Sequence, residues 1–193
     1  MRNGPSLVIQ GTFIGSMVLA LLGWFLAGQI KLSPTDEVAY AASPSQELEN
    51  TGQQENCQVS NHYPEGVRQW CEIITAQATQ AELPPNLIAA VILQESGGDE
   101  TAYSGSGAVG LMQVMPRDGI SASFECINGP CFASRPTIEE LQDPGFNVEY
   151  GSQILAGLFT RLGNMREALK AYGPMDVGYS YADRVLAIYE NYR

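Results

Sequence analysis

Residues 91–98 read VILQESGG, an apolar run that ends in the carboxylic acid Glu95 and two glycines. Pro84 and Pro85 suit the start of a helix, Leu87 to Ile92 give it an apolar stripe, and Gly97 and Gly98 suit its end. Glu95 then lies in the last turn, where the helix dipole and apolar neighbours disfavour a negative charge and raise a carboxyl pKa. An acid that stays protonated near neutral pH can serve as a general acid. Taken alone, the stretch is more typical of a glutamate that points into water.

The pattern on both sides of this stretch is helical. Thr137, with Glu140 three residues later, is typical of a capping box. We expect one amphipathic helix across residues 67–81, two across residues 148–172, and a last one from about Tyr181 to the end. Residues 99–136 are loop-rich, and the sequence shows neither convincing strand alternation nor an internal repeat. The predicted domain is therefore mainly α.

The N-terminal part differs in composition. Residues 7–30 contain no charged side chain. This segment is long enough to cross a membrane as a helix. We expect residues 1–31 to be a membrane anchor or signal segment, residues 32–60 a disordered tether rich in polar residues and proline, and residues 61–193 the folded domain. We favour an uncleaved anchor with its N-terminus inside, and the alternative is signal cleavage near residues 39–43. Both put the domain outside the cytoplasm, in the cell envelope if the anchor is kept and secreted if the signal is cleaved.

Net charge and cysteine content restrict the partners and the compartment that fit this chain. The formal net charge is −11, with 10 basic against 21 acidic side chains, which argues against a nucleic-acid partner. All four cysteines follow the apolar segment, and their spacing favours Cys126 with Cys131 and Cys57 with Cys71, although four cysteines permit three pairings. Disulfides fit an oxidising compartment. We expect no metal and no cofactor, because His62 is the only histidine and no CxxC motif occurs.

Five motifs follow one another along the predicted domain. A helix ending in Glu95-Ser96 is followed by SGSGAVGLMQVMP at residues 104–116. Three later segments are DPGFNVEYGSQIL at residues 143–155, ALKAY at 168–172 and YADRVL at 181–186. Together these motifs resemble the lytic transglycosylases related to soluble bacterial transglycosylase and goose-type lysozyme, and the three later segments are similar to that family's later helices. The match covers about residues 66–193. It implies a lysozyme-like helical domain.

The resemblance implies cleavage of the β-1,4 bond between N-acetylmuramic acid and N-acetylglucosamine in peptidoglycan, by a monomer that acts on glycan strands. Glu95 would be the single catalytic acid and then the base, and the sugar's own 6-hydroxyl would close a 1,6-anhydro ring. A tethered hydroxyl has a high effective concentration compared with water. Tyr181 would lie near the acid, and Met112 would pack against a sugar or fill the core. The substrate-binding residues carried over are Ser96, Gly110, Leu111, Met112, Gln113, Tyr172 and Tyr181. Asn147 would fasten the structure rather than touch substrate.

One departure and two rival functions remain open. Gly173 stands where the family usually has an asparagine after Ala-Tyr, so a contact to glycan is missing or comes from elsewhere, with Asp176 and Ser180 as candidates. A hydrolase of the same fold would need a second acid to position water, for which Asp99 is the nearest candidate. A non-catalytic glycan-binding protein of the envelope is the other rival, although such a protein needs no desolvated acid.

Overall fold

The computed structural model describes residues 56–193 of the chain. The predicted anchor and most of the predicted tether lie outside these residues. Between residues 56 and 193, no helix is both long enough and apolar enough to span a bilayer.

The described part is mainly helical, as the sequence predicts. Seven α-helices follow one another, joined by two short 3₁₀ helices at Gly119–Ser123 and Met175–Val177 and by one small hairpin. The helices are α1 (Glu65–Arg68), α2 (Cys71–Gln80), α3 (Pro85–Glu95), α4 (Ile138–Leu141), α5 (Pro144–Leu162), α6 (Met165–Tyr172) and α7 (Ser180–Tyr192). The hairpin strands are β1 (Glu125–Cys126) and β2 (Gly129–Pro130), which pair antiparallel.

Helix α3 forms the centre of the domain. Its residues Ile88 to Ile92 have no exposed surface, so the helix is buried on all sides rather than along one stripe. It packs along α7 on one side and against α2 on another, while α5 contacts α2 and α6. The only acid of α3, Glu95, is thus the last residue of a helix that runs through the core.

Local sequence signals explain where several helices start and stop. Pro85 begins α3, as predicted, and Gly97 and Gly98 follow its end with positive φ angles of 67° and 93°. The capping box is confirmed, since Thr137 accepts from the N–H of Glu140 and the Glu140 carboxylate accepts from the N–H of Thr137.

Two expectations about secondary structure were wrong. The single helix expected across residues 67–81 is interrupted at Trp70, whose backbone leaves the helical region. The Trp70 indole N–H donates to the carbonyl of Gly98 at 2.9 Å, so this tertiary contact overrides the local periodicity. The hairpin at residues 125–130 was not expected either, because its exposed two-residue strands carry no apolar alternation.

The structure joins Cys57 to Cys71 and Cys126 to Cys131, with Cα–Cα distances of 5.3 and 5.0 Å. The first disulfide fixes the residues before α1 to the start of α2. Val59, two residues after Cys57, is 8% exposed and belongs to the core. The packed domain therefore reaches N-terminally beyond residue 61, at least to Cys57.

Candidate functional site

Glu95 is a partly buried acid held by a tyrosine. The hydroxyl of Tyr181 donates a hydrogen bond to Oε1 of Glu95. Burial raises the pKa of Glu95 from 4.5 to about 7, and the hydrogen bond from Tyr181 acts in the opposite direction without cancelling this effect. A carboxyl group with this pKa is substantially protonated at neutral pH, so it can both donate and later accept a proton.

Tyr181 itself lies in the core, only 2% exposed, near the start of α7. Because α7 packs along α3, its first turn comes next to the end of α3 where Glu95 is located. Burial, and next the charge of Glu95, raise the pKa of the Tyr181 hydroxyl far above its usual range. The hydroxyl therefore stays protonated and remains a donor to Glu95.

Gly173 lies directly against the ring of Tyr181. A Cβ at this position would overlap the ring atoms Cγ and Cδ1 of Tyr181 and lie 3.0 Å from Cδ2. The φ of Gly173 is −73°, which any residue can adopt, so close approach rather than backbone conformation requires the glycine. The missing asparagine of the family pattern thus corresponds to space that Tyr181 occupies in this chain.

Asn147 of α5 holds the loop with the sequence GLMQ, residues 110–113, through buried hydrogen bonds. Asn147 is fully buried, accepts from the N–H of Met112 at 2.8 Å, and donates to the carbonyls of Val109 at 2.8 Å and Leu141 at 3.0 Å. Gly110, with a φ of 75°, lies so close to the Asn147 amide that a Cβ would overlap it. Asn147 therefore fastens structure, as predicted from the sequence.

Three residues predicted to bind substrate fasten or fill the structure instead. Leu111 and Met112 are 0% exposed, so their side chains are not available to a sugar, and Met112 takes the alternative core role, packed against Gly151 of α5. Gly110 is buried against Asn147. The apolar side chains of Leu111 and Met112 and the small size of Gly110 suit the core. A sequence motif alone does not show whether such residues line a cleft or fill the core.

Ser96 joins the end of α3 to the same loop. Its hydroxyl donates to the carbonyl of Leu111 at 2.9 Å and accepts from the N–H of Gly98 at 3.1 Å. Ser96 therefore sets the position of the residues next to the acid. Its hydroxyl is engaged with backbone groups rather than free for a sugar.

Gln113 and Tyr172 remain partly exposed beside this loop. The Gln113 amide nitrogen donates to the carbonyls of Ala102 at 3.1 Å and Gly110 at 3.0 Å, which directs the amide oxygen away as an acceptor. Gln113 has a positive φ of 47°, a backbone strain that is typical of functional positions. The Tyr172 hydroxyl donates to the carbonyl of Met112 at 2.8 Å.

Asp99, the candidate second acid, and Asp176 and Ser180, the candidate glycan contacts, all lie in exposed turns or at an exposed helix start. Asp99 is fully exposed, and its Oδ1 accepts from the N–H and hydroxyl of Thr101 at 2.8 and 2.7 Å, which lowers its pKa. This is an ordinary solvated turn. Ser180 donates to the carbonyl of Val177, and Asp176 lies in an exposed 3₁₀ turn. The pKa of Glu95 is set by burial and by the hydrogen bond from the Tyr181 hydroxyl, and no other carboxylate contributes to it.

Sequence reasoning missed two arginines near this site. Arg135 and Arg161 line a cavity of about 280 Å³ together with Gln113 and Tyr172. They are separated by 26 positions and belong to no motif, so no sequence signal brings them together. A larger cavity of about 640 Å³ is lined by Tyr103, Ile138 and other residues. Glu95 lines neither cavity. Across residues 56–193, no group of three or more His, Cys, Asp and Glu side chains could hold a metal ion.

The profile of the family described as "Transglycosylase SLT domain" matches residues 72–178. The chain belongs to this family. The match includes Glu95, the loop with Gln113 and Tyr172, and it ends just before α7, so Tyr181 lies outside it.

Named relatives agree with this membership. A "Transglycosylase" of Enterobacteria phage PRD1 is 35% identical over 107 residues, covering 55% of this chain and 35% of the phage protein. The "Membrane-bound lytic murein transglycosylase E" of Buchnera aphidicola is 34% identical, with coverage of 48% and 40% respectively. The "Endo-type membrane-bound lytic murein transglycosylase A" of Klebsiella pneumoniae is 33% identical, with coverage of 46% and 42%. The matched part thus spans less than half of the length of each relative.

A solved structure shares the fold. The 70 kDa soluble lytic transglycosylase from Escherichia coli superposes with a TM-score of 0.50 at 21% identity. The superposition covers 63% of this chain and 24% of that one. The transglycosylase SLT domain fold is thus present in the described part of the chain.

Proposed function

We propose that this SLT-domain protein cleaves the β-1,4 bond between N-acetylmuramic acid and N-acetylglucosamine in peptidoglycan and forms 1,6-anhydromuramoyl ends. The observation that carries the proposal is a single acid with a pKa of about 7, at the end of a buried helix and hydrogen-bonded to a buried tyrosine. Family membership supports the same reaction class.

In the first step, neutral Glu95 protonates the oxygen that bridges the two sugars. Because Tyr181 donates to Oε1 of Glu95, the acidic proton is carried by Oε2, which turns toward the bridging oxygen. The bond between C1 of muramic acid and this oxygen then breaks, and N-acetylglucosamine leaves with a new hydroxyl group. The acetamido group of muramic acid stabilises the positive charge at C1, and the hydrogen bond from Tyr181 stabilises the carboxylate of Glu95.

In the second step, the Glu95 carboxylate takes the proton of the 6-hydroxyl of muramic acid as O6 bonds to C1. The anhydro ring closes, Glu95 is protonated again, and no water is consumed. The attacking hydroxyl belongs to the same sugar, so it reacts with a high effective concentration. A second acid is not required, which agrees with the solvated position of Asp99.

We further propose that the protein acts as a monomer in the cell envelope, tethered through residues 1–31 as an uncleaved anchor and the polar residues that follow. The two disulfides support an oxidising compartment. The names of two relatives include the words "membrane-bound". The partly exposed Gln113 and Tyr172 are the proposed substrate contacts, while Ser96 and the buried residues Gly110, Leu111 and Met112 position them.

The experiment that tests the reaction is mass spectrometry of the muropeptides released from purified sacculi by the wild-type protein. We expect products that end in 1,6-anhydromuramic acid. Products with reducing ends, heavier by one water, would instead identify a hydrolase. Binding to sacculi without any release of muropeptides would identify a glycan-binding protein.

Replacing Gly173 with alanine is expected to lower kcat about tenfold or more, because the added methyl group displaces the ring of Tyr181 from Glu95. Overpacking should also lower the free energy of unfolding by about 1–3 kcal/mol. The matched control is Gly157→Ala on α5, where an added Cβ meets no atom within 4 Å. This variant should keep kcat and gain about 0.5–1 kcal/mol of stability. Steady-state kinetics and thermal unfolding give both readouts, and equal behaviour of the two variants would contradict the role of Gly173.

A further inference from the structure

The cavity beside Gln113 and Tyr172 has a cationic lining. We call it the arginine pocket and define it by Arg135, Arg161, Gln113 and Tyr172. Its volume of about 280 Å³ accommodates a short polar group rather than a whole sugar chain. Arg161 lies in the last turn of α5, and Arg135 belongs to the loop before α4.

Two arginines in one pocket are unusual for this chain. It has only 10 basic side chains against 21 acidic ones. The ion pairs within residues 56–193 join Arg68 to Glu65, Arg166 to Asp183 and Arg193 to Glu190. In this part of the protein, Arg135 and Arg161 therefore keep their positive charges free of a carboxylate partner.

Arg135 is oriented by aromatic rings instead of by an acid. Its guanidinium carbon lies 6.0 Å from the ring centroid of Phe132 and 5.9 Å from that of Tyr150. Such contacts restrict the planar guanidinium and leave its N–H groups available. A guanidinium prepared in this way binds a carboxylate through two parallel hydrogen bonds.

The GLMQ loop joins the arginine pocket to the end of α3. The Tyr172 hydroxyl donates to the carbonyl of Met112 at 2.8 Å. Ser96, the residue after Glu95, donates to the carbonyl of Leu111 at 2.9 Å. A ligand in the arginine pocket thus lies against the same loop to which the end of α3 is attached.

We propose that the arginine pocket binds a free carboxylate of the peptide that muramic acid carries on its lactyl group. The inference rests on the proposed function, because it assigns to the same site a second part of the same substrate. In peptidoglycan the peptide branches from the sugar next to the cleaved bond, and its carboxylates are ionised at neutral pH. The pocket would make the protein selective for strands that still bear peptides.

The test measures equilibrium binding of two soluble ligands, namely glycan strands with their peptides and strands from which an amidase has removed the peptides. All proteins carry Glu95→Gln, so that no ligand is cleaved. We expect the double variant Arg135→Gln/Arg161→Gln to weaken binding of peptide-bearing strands about tenfold and to leave binding of peptide-free strands unchanged. The loss should shrink as salt is raised from 50 to about 300 mM. Arg68→Gln on α1 is the matched control for the loss of positive charge, and it should bind both ligands normally.

Equal losses for both ligands, or no loss for either, would overturn the inference. The conservative variant Arg135→Lys/Arg161→Lys keeps both charges and guards against misfolding, and it should bind peptide-bearing strands at least threefold better than the glutamine variant. The proposed function fails separately, when the protein with Glu95 intact cleaves neither ligand. In that case the two binding measurements still decide whether the pocket recognises peptide carboxylates.

Discussion

Glu95→Gln is expected to reduce the rate of glycan cleavage by about 10³-fold while binding of glycan strands survives. Glutamine has nearly the same shape, and its Oε1 can still accept the hydrogen bond from Tyr181 that Glu95 accepts. It has no proton of suitable acidity for the bridging oxygen. The measurements are the release of muropeptides from sacculi and co-sedimentation of the protein with them. The control is Glu100→Gln, an exposed acid five residues later, which should retain activity.

The same substitution should stabilise the protein at high pH. The pKa of Glu95 is about 7 in the folded state against an ordinary value of 4.5, so the folded state holds this proton more tightly than the unfolded state. The stability that comes from neutral Glu95 is therefore complete below pH 4.5 and is lost as the pH rises through about 7. Relative to Glu95→Gln, the wild type should lose up to about 3 kcal/mol between these limits.

Thermal unfolding at pH 5 and pH 8 measures this difference. The gap in Tm between Glu95→Gln and wild type should widen from pH 5 to pH 8, whereas the gap for Glu100→Gln should stay constant. A variant that is inactive because it is misfolded would be less stable at both pH values. Undiminished lysis by Glu95→Gln would refute the assignment of the acid.

Asn147→Ala is expected to lower the free energy of unfolding by about 3–5 kcal/mol, because it leaves three backbone groups without partners. These groups are the N–H of Met112 and the carbonyls of Val109 and Leu141. Asn147 has no exposed surface, so water cannot readily replace the lost hydrogen bonds. Chemical denaturation gives the change directly.

Asn191→Ala provides the control for Asn147→Ala. Asn191 is exposed on α7, and its replacement should change stability by less than about 0.5 kcal/mol. If Asn147→Ala were as mild as this control, the amide would not be what holds the GLMQ loop. At temperatures where Asn147→Ala remains folded, its kcat should still be reduced, because Gln113 is attached to the same loop.

The sequence predicts the helices of this domain better than their interruptions. Periodicity and end signals identified α3, α5, α6 and α7 and the capping box at Thr137. The break at Trp70 depends on a contact with Gly98, which is 28 positions away, and periodicity contains no information about such contacts. The hairpin left a weaker trace, since Asn128-Gly129 favours a tight turn, but its strands are too short to show alternation.

The candidate site was only partly predictable. The position of Glu95 at the end of an apolar run contains the physical reason for a raised pKa. Its partner Tyr181 is 86 positions away, and only the family resemblance suggested it. The same resemblance placed Leu111 and Met112 in the cleft, because a motif preserves residue types without saying which side chains face inward. Arg135 and Arg161 converge only through the packing of the loop beside α5.

The attachment of the GLMQ loop to α5 also limits how such a domain can diversify. Met112 contacts Gly151 so closely that a methyl group would not fit between them, and Gly110 meets Asn147 in the same manner. A residue larger than glycine at position 151 or 110 therefore requires a rearrangement of Met112 or of Asn147, respectively. Ile127 and Met175, on the turn of the hairpin and in the 3₁₀ turn after α6, are almost fully solvent-accessible. We expect sequence variation among homologous chains, and any change in the preferred glycan strand, to concentrate in the hairpin turn and the 3₁₀ turn.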